Sequence, residues 1–370
     1  MEMILERCAS CSANITLDKR DFGNRLRCWS CGRLYMVCAG GLMPWSDEPV
    51  EPPPPEELVF AAVGDVHGQH HRMVELVQQA ASMAGVKVEL VLQVGDFEAH
   101  RDEADLATMA APGRFRRLGD FPDFHQQRSQ FPWWVLHIGG NHEPYGYYDT
   151  LLEGGETAPD CRYLGRSGLR DYGSFRVAGL SGIYRQDQID AHRPHVSAFA
   201  TTGNKRFIGY TRDDLGRLMD LCEDRSPQVL LLHEWPRVAL GTDELEQLRS
   251  FLKRQGLLTN TDDDDGEIDY HRLRSQDTVG SAEALDLAQL IEPGLVLCGH
   301  VHAPLRTTIP GSNGPIPVRA LAKINAGFDA IALFHWSAKT GIVELSEWRP
   351  TGAQLRAAPE LPVSIDDWDG

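Results

Sequence analysis

The chain has 370 residues, of which 42% are hydrophobic and 24% are charged, a balance typical of a globular protein with a sizeable core rather than extensive disorder. No apolar run approaches the ~18 residues of a membrane span, and the N-terminus has acids and cysteines where a signal peptide has a basic start and an apolar stretch. We therefore expect a cytoplasmic protein. The formal charge of -17 disfavours a nucleic-acid partner, but residues 162–217 have ten Lys or Arg against five Asp or Glu, so RNA is not excluded.

Four cysteines near the N-terminus have the spacing of a zinc ribbon. Cys8 and Cys11 form one CxxC pair, and sixteen residues separate it from the second pair, Cys28 and Cys31. Two such turns present four thiolates to one tetrahedral ion. We therefore predict a four-cysteine zinc ribbon at residues 1–45 that holds one structural Zn. Its basic and aromatic side chains are consistent with RNA binding, but docking of a protein partner or a purely structural role fits equally well.

Composition divides the rest of the chain into a linker, a large domain and a tail. Residues 46–57, SDEPVEPPPPEE, combine four consecutive prolines with five acids, which predicts a stiff linker. From residue 58 to residue 350, short apolar runs alternate with amphipathic segments, a rhythm that indicates an α/β or layered domain. Within it, the acidic run Thr261 to Tyr270 predicts an exposed loop. Residues 351–370 predict an acidic, flexible tail.

Five short motifs in the large domain contain candidate metal ligands. In chain order they are GDVHG, GDFE, GGNHE, LLHEWP and GHVH, and each follows an apolar run that predicts a buried strand. Ligands at strand ends, on loops that a sheet holds in place, converge on one crevice from distant parts of a chain. Mixed nitrogen and oxygen donors suit Mn, Fe, Zn or Ni better than Ca or Mg. The candidate ligands are Asp65, His67, Asp96, Asn141, His233, His300 and His302.

The order of these motifs resembles that of the calcineurin-like metallophosphoesterases. The resemblance implies an α/β fold in which a layered β-sandwich is flanked by helices, with two divalent ions at the active site. It implies that one ion binds Asp65, His67, Asp96 and His302, and that the other binds Asp96, Asn141, His233 and His300. His142 would be the general acid and not a ligand. Two ions about 3.5–4 Å apart would supply a bridging hydroxide that attacks the phosphate, and His142 would protonate the leaving oxygen.

The segments around the motifs resemble the RNA lariat debranching enzymes more closely than other members of that superfamily. Phosphoprotein phosphatases have Asp-Arg-Gly after the second motif, whereas here GDFE continues with Ala99, His100 and Arg101. The debranching resemblance is carried by GDFEAHRDEADLATMAAPGRFR, IGGNHE, LSGIY and LHEWPR. It implies hydrolysis of 2′-5′ phosphodiester bonds at RNA branch points. Asp65 stands where eukaryotic debranching enzymes have a cysteine, which favours a binuclear site with the standard superfamily ligands.

In the debranching family, the segment after GNHE recognises the branch, and here it corresponds to residues 143–163. Tyr145, Tyr147 and Tyr148 are therefore candidates for stacking on bases, at ~1–3 kcal/mol per base. A loop packed on its own aromatic residues is an equally good interpretation. Two further hypotheses stay open for the whole chain: a general nucleotide or small phosphoester hydrolase, and an RNA-binding or protein-binding adaptor that uses the zinc ribbon.

Overall fold

The computed structural model describes residues 4–7, 13–17, 25–27, 34–38, 41–45, 56–111, 113, 116–172, 174–195, 207–255 and 278–349. The chain divides into two compact units, Met1–Pro55 and Glu56–Gly370. In the first unit, β1 (Ile4–Arg7) pairs with β2 (Asn14–Leu17). A second antiparallel sheet contains β3 (Arg25–Arg27), β4 (Leu34–Cys38) and β5 (Gly41–Trp45).

Several predictions for the N-terminal and acidic segments fall outside the described residues. They concern the zinc ligands Cys8, Cys11, Cys28 and Cys31, the core of the proline-rich linker, the acidic run 261–270 and the tail 351–370. The zinc ribbon therefore stays a prediction. Within the described part of the first unit, Ile15, Leu17 and Tyr35 form a small buried cluster.

The larger unit contains two sheets, and the first has seven strands. In spatial order these are β20 (Gly341–Leu345), β19 (Ile331–Ser337), β6 (Glu57–Val63), β7 (Leu90–Gln93), β8 (Trp134–His137), β10 (Cys161–Tyr163) and β9 (Gly155–Ala158). The four strands β6, β7, β8 and β10 are parallel, and antiparallel strands complete both edges.

The second sheet has six strands, again with a parallel centre. In spatial order these are β11 (Ser167–Tyr172), β12 (Phe175–Leu180), β13 (Val229–Leu232), β16 (Leu295–Cys298), β18 (Ile316–Ala320) and β17 (Leu305–Ile309). Parallel pairing runs from β12 through β13 and β16 to β18. A short antiparallel pair, β14 (Val238–Ala239) and β15 (Thr278–Val279), lies apart from both sheets.

Helices alternate with the strands along the chain. They are α1 (His70–Ala84), α2 (Glu103–Leu106), α3 (Phe121–His125), α4 (Tyr145–Tyr148), α5 (Arg212–Cys222), α6 (Thr242–Arg254) and α7 (Ala282–Ile291). Among the described residues, none of these helices combines the length and the apolar character that crossing a bilayer requires.

The core consists of three layers of apolar side chains, because alternate residues of a strand point to opposite faces of its sheet. Between the sheets, residues such as Phe60 and Leu92 of the first sheet pack with Leu231 and Leu297 of the second. The outer face of the first sheet packs against α1, whose buried residues Met73, Leu76, Val77 and Ala80 recur at helical spacing. The helices α5, α6 and α7 cover the outer face of the second sheet. The predicted layered α/β fold is confirmed.

Candidate metal centre

The five motifs meet at one edge of the sandwich, because each follows the carboxyl end of a parallel strand. Asp65 follows β6 and Asp96 follows β7 in the first sheet, whereas His233 follows β13 and His300 follows β16 in the second. A direct contact joins the two sheets here: the backbone N–H of His300 donates to both carboxylate oxygens of Asp65, at 3.1 and 3.0 Å. The fold therefore brings candidate ligands from both sheets to one crevice, as the motif pattern predicts.

Backbone conformation at this edge is unusual, since non-glycine residues rarely adopt positive φ. In the described residues, five of the positive-φ non-glycine positions belong to the motifs, with φ between 47° and 63°: His67, Asp96, Glu98, His300 and His302. Glycines allow the close approach of these loops. A Cβ at Gly140 would lie 2.2 Å from Asp96 Oδ1, and a Cβ at Gly299 would lie 2.1 Å from Asp65 Oδ1.

The first group of donors contains Asp65, His67, Asp96 and His302, whose ligand atoms all lie within 4.8 Å of one another. His302 Nε2 is 3.2 Å from Asp65 Oδ2 and 3.1 Å from His67 Nε2. His67 Nε2 is in turn 3.9 Å from Asp96 Oδ2. Two imidazole nitrogens that face each other beside two carboxylates form a donor set that suits a divalent transition metal.

The second group of donors lies on the other side of Asp96. His233 Nε2 is 3.4 Å from Asp96 Oδ1 and 3.0 Å from Asn141 Oδ1, and the rings of His233 and His300 lie 5.0 Å apart. His233 Nδ1 is 2.9 Å from the carbonyl oxygen of Val94, a contact in which Nδ1 donates. The Nε2 lone pair of His233 is thereby left for a metal. Asp96 faces each group with a different oxygen, as a bridging ligand does.

Nearby carboxylates raise the pKa of two of the candidate ligand histidines, whereas burial lowers that of His300. Burial lowers the pKa of His233, but the charge of Asp96 and the hydrogen bond to it raise the pKa to about 9. The pKa of His67 is also raised, because its hydrogen bond to Glu98 and the charge of Asp96 outweigh burial. Burial and the charge of His233 instead lower the pKa of His300 to about 3. A site that attracts protons to two of its imidazoles is one that divalent cations would neutralise, so the residues fit a metal centre.

His142 lies beside both groups but is placed differently from the ligands. Its backbone N–H donates to Asp96 Oδ1 at 2.9 Å, and its ring stands edge-on to the ring of His67 at 5.3 Å. His142 Nδ1 is 3.9 Å from Glu98 Oε1. This position next to the ligands accords with the predicted role as general acid, which stays a prediction.

Two buried glutamates in the same motifs have contacts that the sequence did not predict. Glu143 accepts hydrogen bonds from the backbone N–H groups of Phe97, Glu98 and Gly140 at 2.8, 2.9 and 3.1 Å, which ties the second motif to the third. Glu98 Oε1 lies 3.0 Å from His67 Nδ1. The only signal in the sequence was the position of each glutamate within a ligand motif, and that position does not reveal a partner.

The segments LSGIY and LHEWPR carried part of the resemblance to debranching enzymes. Their side chains support the candidate site through hydrogen bonds outside the two donor groups. The Glu234 carboxylate accepts hydrogen bonds from the backbone N–H of Tyr184, at 3.0 Å, and from the Tyr210 hydroxyl. The Trp235 indole N–H donates to the carbonyl oxygen of Gly299 at 2.7 Å. These contacts hold the two residues that follow His233 and the backbone just before His300.

The tyrosines predicted to stack on bases are buried, which corrects the expectation that their faces are available. Tyr145 and Tyr148 have no exposed surface and Tyr147 retains 8%. The Tyr148 ring stacks on Tyr163 at 4.1 Å, and the Tyr145 hydroxyl donates to the carbonyl oxygen of Gly140 at 2.6 Å. The loop is therefore packed on its own aromatic residues, which is the alternative interpretation. Such packing places Tyr145 beneath the third motif as a support.

The likeness to known proteins agrees with this geometry. Residues 58–304 match the family model described as calcineurin-like phosphoesterase. Similar proteins include a lariat debranching enzyme of Danio rerio, 27% identical over 66% of this chain and 40% of that protein. Lariat debranching enzyme A of Xenopus laevis is 30% identical over 70% of this chain and 46% of that protein. A lariat debranching enzyme of Caenorhabditis elegans is 27% identical, with coverages of 72% and 52%.

The chain thus spans about half the length of these relatives. The range that matches the family model contains all five motifs, and the structure brings them together at one edge of the sandwich. The matched range also exceeds half of the chain. The chain therefore belongs to the calcineurin-like phosphoesterases and is a metallophosphoesterase.

Proposed function

We propose that this chain is a binuclear phosphodiesterase that hydrolyses 2′-5′ branch linkages in RNA. The observation that carries the proposal is the position of Asp96, whose two carboxylate oxygens face two separate donor groups. One ion would be held by Asp65, His67, Asp96 and His302, and a second by Asp96, Asn141, His233 and His300. Such ions, of Mn, Fe, Zn or Ni, would supply charge stabilisation for the phosphate and a nucleophile derived from water.

Hydrogen bonds within the chain place His142 and the loops of the second and third motifs. The backbone of His142 is held by the same carboxylate oxygen that faces His233, so the placement of the imidazole is tied to that of the ligands. We propose that this imidazole donates a proton to the leaving oxygen, a role that suits a histidine near neutral pH. The buried carboxylate of Glu143 keeps the loops of the second and third motifs at a fixed separation.

The RNA substrate is supported by similarity and not by surface charge. The relatives are lariat debranching enzymes by name. The basic excess of residues 162–217 gives no such support, because six of its arginines pair with carboxylates: Arg166, Arg176, Arg185, Arg193, Arg212 and Arg217. Arginines engaged in this way have less charge to offer to a phosphate backbone.

The pairing of these arginines with carboxylates, together with the burial of the tyrosines, favours a second candidate function. This function is the hydrolysis of nucleotides or small phosphoesters. Rates on a 2′-5′ branched oligonucleotide, a linear RNA of the same sequence and an aryl phosphodiester separate the two functions. We expect the branched substrate to have the highest kcat/KM. Equal or higher kcat/KM on the aryl ester would favour the second function.

The role of His142 is tested by His142→Ala. Loss of a general acid costs a factor of ~10²–10⁴ in rate, and we expect the metal content to stay at the wild-type level. Single-turnover rates and metal analysis on the same preparation measure both. Activity close to that of the wild type would remove His142 from the mechanism.

We also propose that Cys8, Cys11, Cys28 and Cys31 hold one structural Zn, and that the protein works in the cytoplasm, where thiols stay reduced. The enzyme hypothesis then predicts three metal ions per chain, one in the ribbon and two in the large unit. An adaptor with a degenerate active site would bind about one Zn. Cys8→Ser should remove one Zn and leave the other two ions, which elemental analysis measures.

The ribbon could also contact RNA or a protein partner, and deletion of residues 1–45 would show this as a loss of binding with unchanged kcat.

A further inference from the structure

We infer that Glu98 is a positioning residue that holds His67 in the orientation and tautomer of a metal ligand. The inference rests on the proposed metal centre but not on the RNA substrate. Glu98 follows Asp96 by two residues, yet its carboxylate reaches the opposite side of His67.

The two ring nitrogens of His67 face different partners. Nδ1 lies 3.0 Å from Glu98 Oε1, and a carboxylate oxygen at this distance accepts the Nδ1–H. Nε2 faces His302 Nε2 at 3.1 Å and Asp96 Oδ2 at 3.9 Å. With the proton kept on Nδ1, the lone pair of Nε2 points at the first donor group. Carboxylates that hold a metal-binding histidine in this way raise its basicity and fix the orientation of its ring.

The backbone conformation at Glu98 directs its carboxylate toward His67. Glu98 has a φ of 57°, a conformation that a glutamate adopts only when its surroundings enforce it. Glu143 supplies that enforcement, because its carboxylate accepts from the N–H groups of both Phe97 and Glu98. Glu98 is 5% exposed, so its carboxylate is largely removed from water.

The backbone just after His67 runs beside the carboxylate of Glu98. A Cβ added at Gly68 would lie 3.5 Å from Glu98 Oε2, so the first motif passes close to the carboxylate. Glu98 Oε1 is also 3.9 Å from His142 Nδ1. The carboxylate therefore stands next to both imidazoles, whose rings lie edge to face.

Two substitutions of similar size separate the hydrogen bond from packing. Glu98→Gln keeps an oxygen that accepts from His67 Nδ1, whereas Glu98→Met keeps the length of the side chain without an acceptor. Loss of a carboxylate that accepts a hydrogen bond from a metal-binding histidine lowers the affinity for the metal by ~10–100-fold. We expect this loss at one of the two active-site ions in Glu98→Met, with the other ion retained, and substantial recovery in Glu98→Gln. The measurement is Mn or Zn titration of the metal-stripped full chain, with the bound ions counted.

Asp123→Ala is the matched control, since Asp123 Oδ2 lies 3.3 Å from His71 Nε2 in an exposed pair. It should leave both ions unchanged. Circular dichroism establishes that each variant is folded, and Glu98→Ala replaces Glu98→Met if that variant is unfolded.

Wild-type affinity in Glu98→Met or Glu98→Ala would overturn the inference, as would equal loss of both ions. Binding of three ions in the large unit would make Glu98 a ligand and would overturn it too. A wild-type large unit that binds no ion would instead contradict the proposed function itself.

Discussion

At the scale of single residues, the site depends on how closely the loops approach Asp96. Its two oxygens face two groups of donors, and its backbone has a φ of 50°. Gly140 lies against the second donor group, because a Cβ there would lie 2.2 Å from Asp96 Oδ1 and 2.6 Å from His233 Nε2. Carbon atoms cannot come so close to ligand atoms without moving them.

Gly140→Ala should therefore displace Asp96 and His233. Misplacement of about 1 Å costs ~10²-fold in rate, so we expect a loss of this size in kcat/KM and the loss of one bound ion. Gly216→Ala is the control, because nothing lies within 4 Å of a Cβ at this position in α5. It should keep full activity and gain ~0.5–1 kcal/mol in the free energy of unfolding. Wild-type kcat/KM in Gly140→Ala would contradict the geometry of the site.

A buried ion pair supports the loop after the third motif. The guanidinium of Arg166 donates two hydrogen bonds to Asp149, at 2.7 and 3.0 Å, and lies 3.5 Å from the ring centroid of Tyr145. Burial lowers the pKa of Arg166, but the charge of Asp149 outweighs it, so the pKa is raised. Arg166 is therefore always charged and needs its partner.

Asp149→Ala should lower the free energy of unfolding by ~3–5 kcal/mol, because it leaves a buried charge without its carboxylate. Asp190→Ala is the matched control: it breaks the largely exposed pair with Arg212 and should cost far less, because water screens exposed ion pairs. Urea denaturation measures both. Equal costs for the two variants would show that the buried pair does not stabilise the loop.

At the scale of elements, the ligand loops are held by contacts between distant segments. The helix α1 begins three residues after His67, and its first N–H groups are capped by Asp120, which accepts from His70 and His71 at 2.7 and 3.0 Å. Asp120 also donates its backbone N–H to the carbonyl oxygen of Gly68 at 2.9 Å. The cap of the helix is thus also the support of the first motif.

Asp120→Ala should lower the free energy of unfolding by ~1–2 kcal/mol. It should also lower the affinity for the ion that His67 binds by about tenfold. Thr211→Ala removes the N-cap of α5, where Thr211 and Asp214 form a capping box, and should have a similar cost without a change in metal affinity. Metal titration of both variants tests this coupling. Equal metal affinity in the two variants would show that the cap of α1 does not position the first motif.

Local patterns in the sequence predict some of these elements and not others. The apolar runs before the motifs are the strands β6, β7, β8, β13 and β16, because a short continuous apolar run is a local property of the sequence. The cap of α1 could not be predicted, since Asp120 is 50 residues from His70. The tyrosine loop was equally ambiguous, because three nearby aromatic residues suit both a packed loop and a stacking surface until their burial is known.

At the scale of the whole molecule, two sheets from different parts of the chain share one active edge. The seven candidate ligands were chosen from the motifs and stay a prediction, and their division between the sheets depends on strand order, which no local pattern determines. Glu98 and Glu143 escaped prediction for the same reason, because their partners belong to other motifs. The segments with the zinc ligands lie outside the described residues, so the ribbon rests on its cysteine spacing alone.

Metal binding should stabilise the large unit, because its ions bind only the folded arrangement of both sheets. At a concentration 100 times the Kd, one ion adds ~2.7 kcal/mol to the free energy of unfolding. We expect chelation to lower the Tm of wild type, and a smaller change in Gly140→Ala, which should bind one ion fewer. Calorimetry with and without chelator measures both. An unchanged Tm in wild type would show that the donor groups hold no metal.

The central claim is that this edge of the sandwich is a metal centre that cleaves branched RNA. The most direct test is cleavage of a synthetic 2′-5′ branched oligonucleotide by the metal-stripped protein after addition of Mn, Fe or Zn. We predict multiple turnovers that release the 2′-linked strand, no turnover before metal is added, and at least ~10²-fold slower cleavage by His142→Ala. A protein that binds two ions at this edge and leaves the branch intact with every metal would contradict the claim.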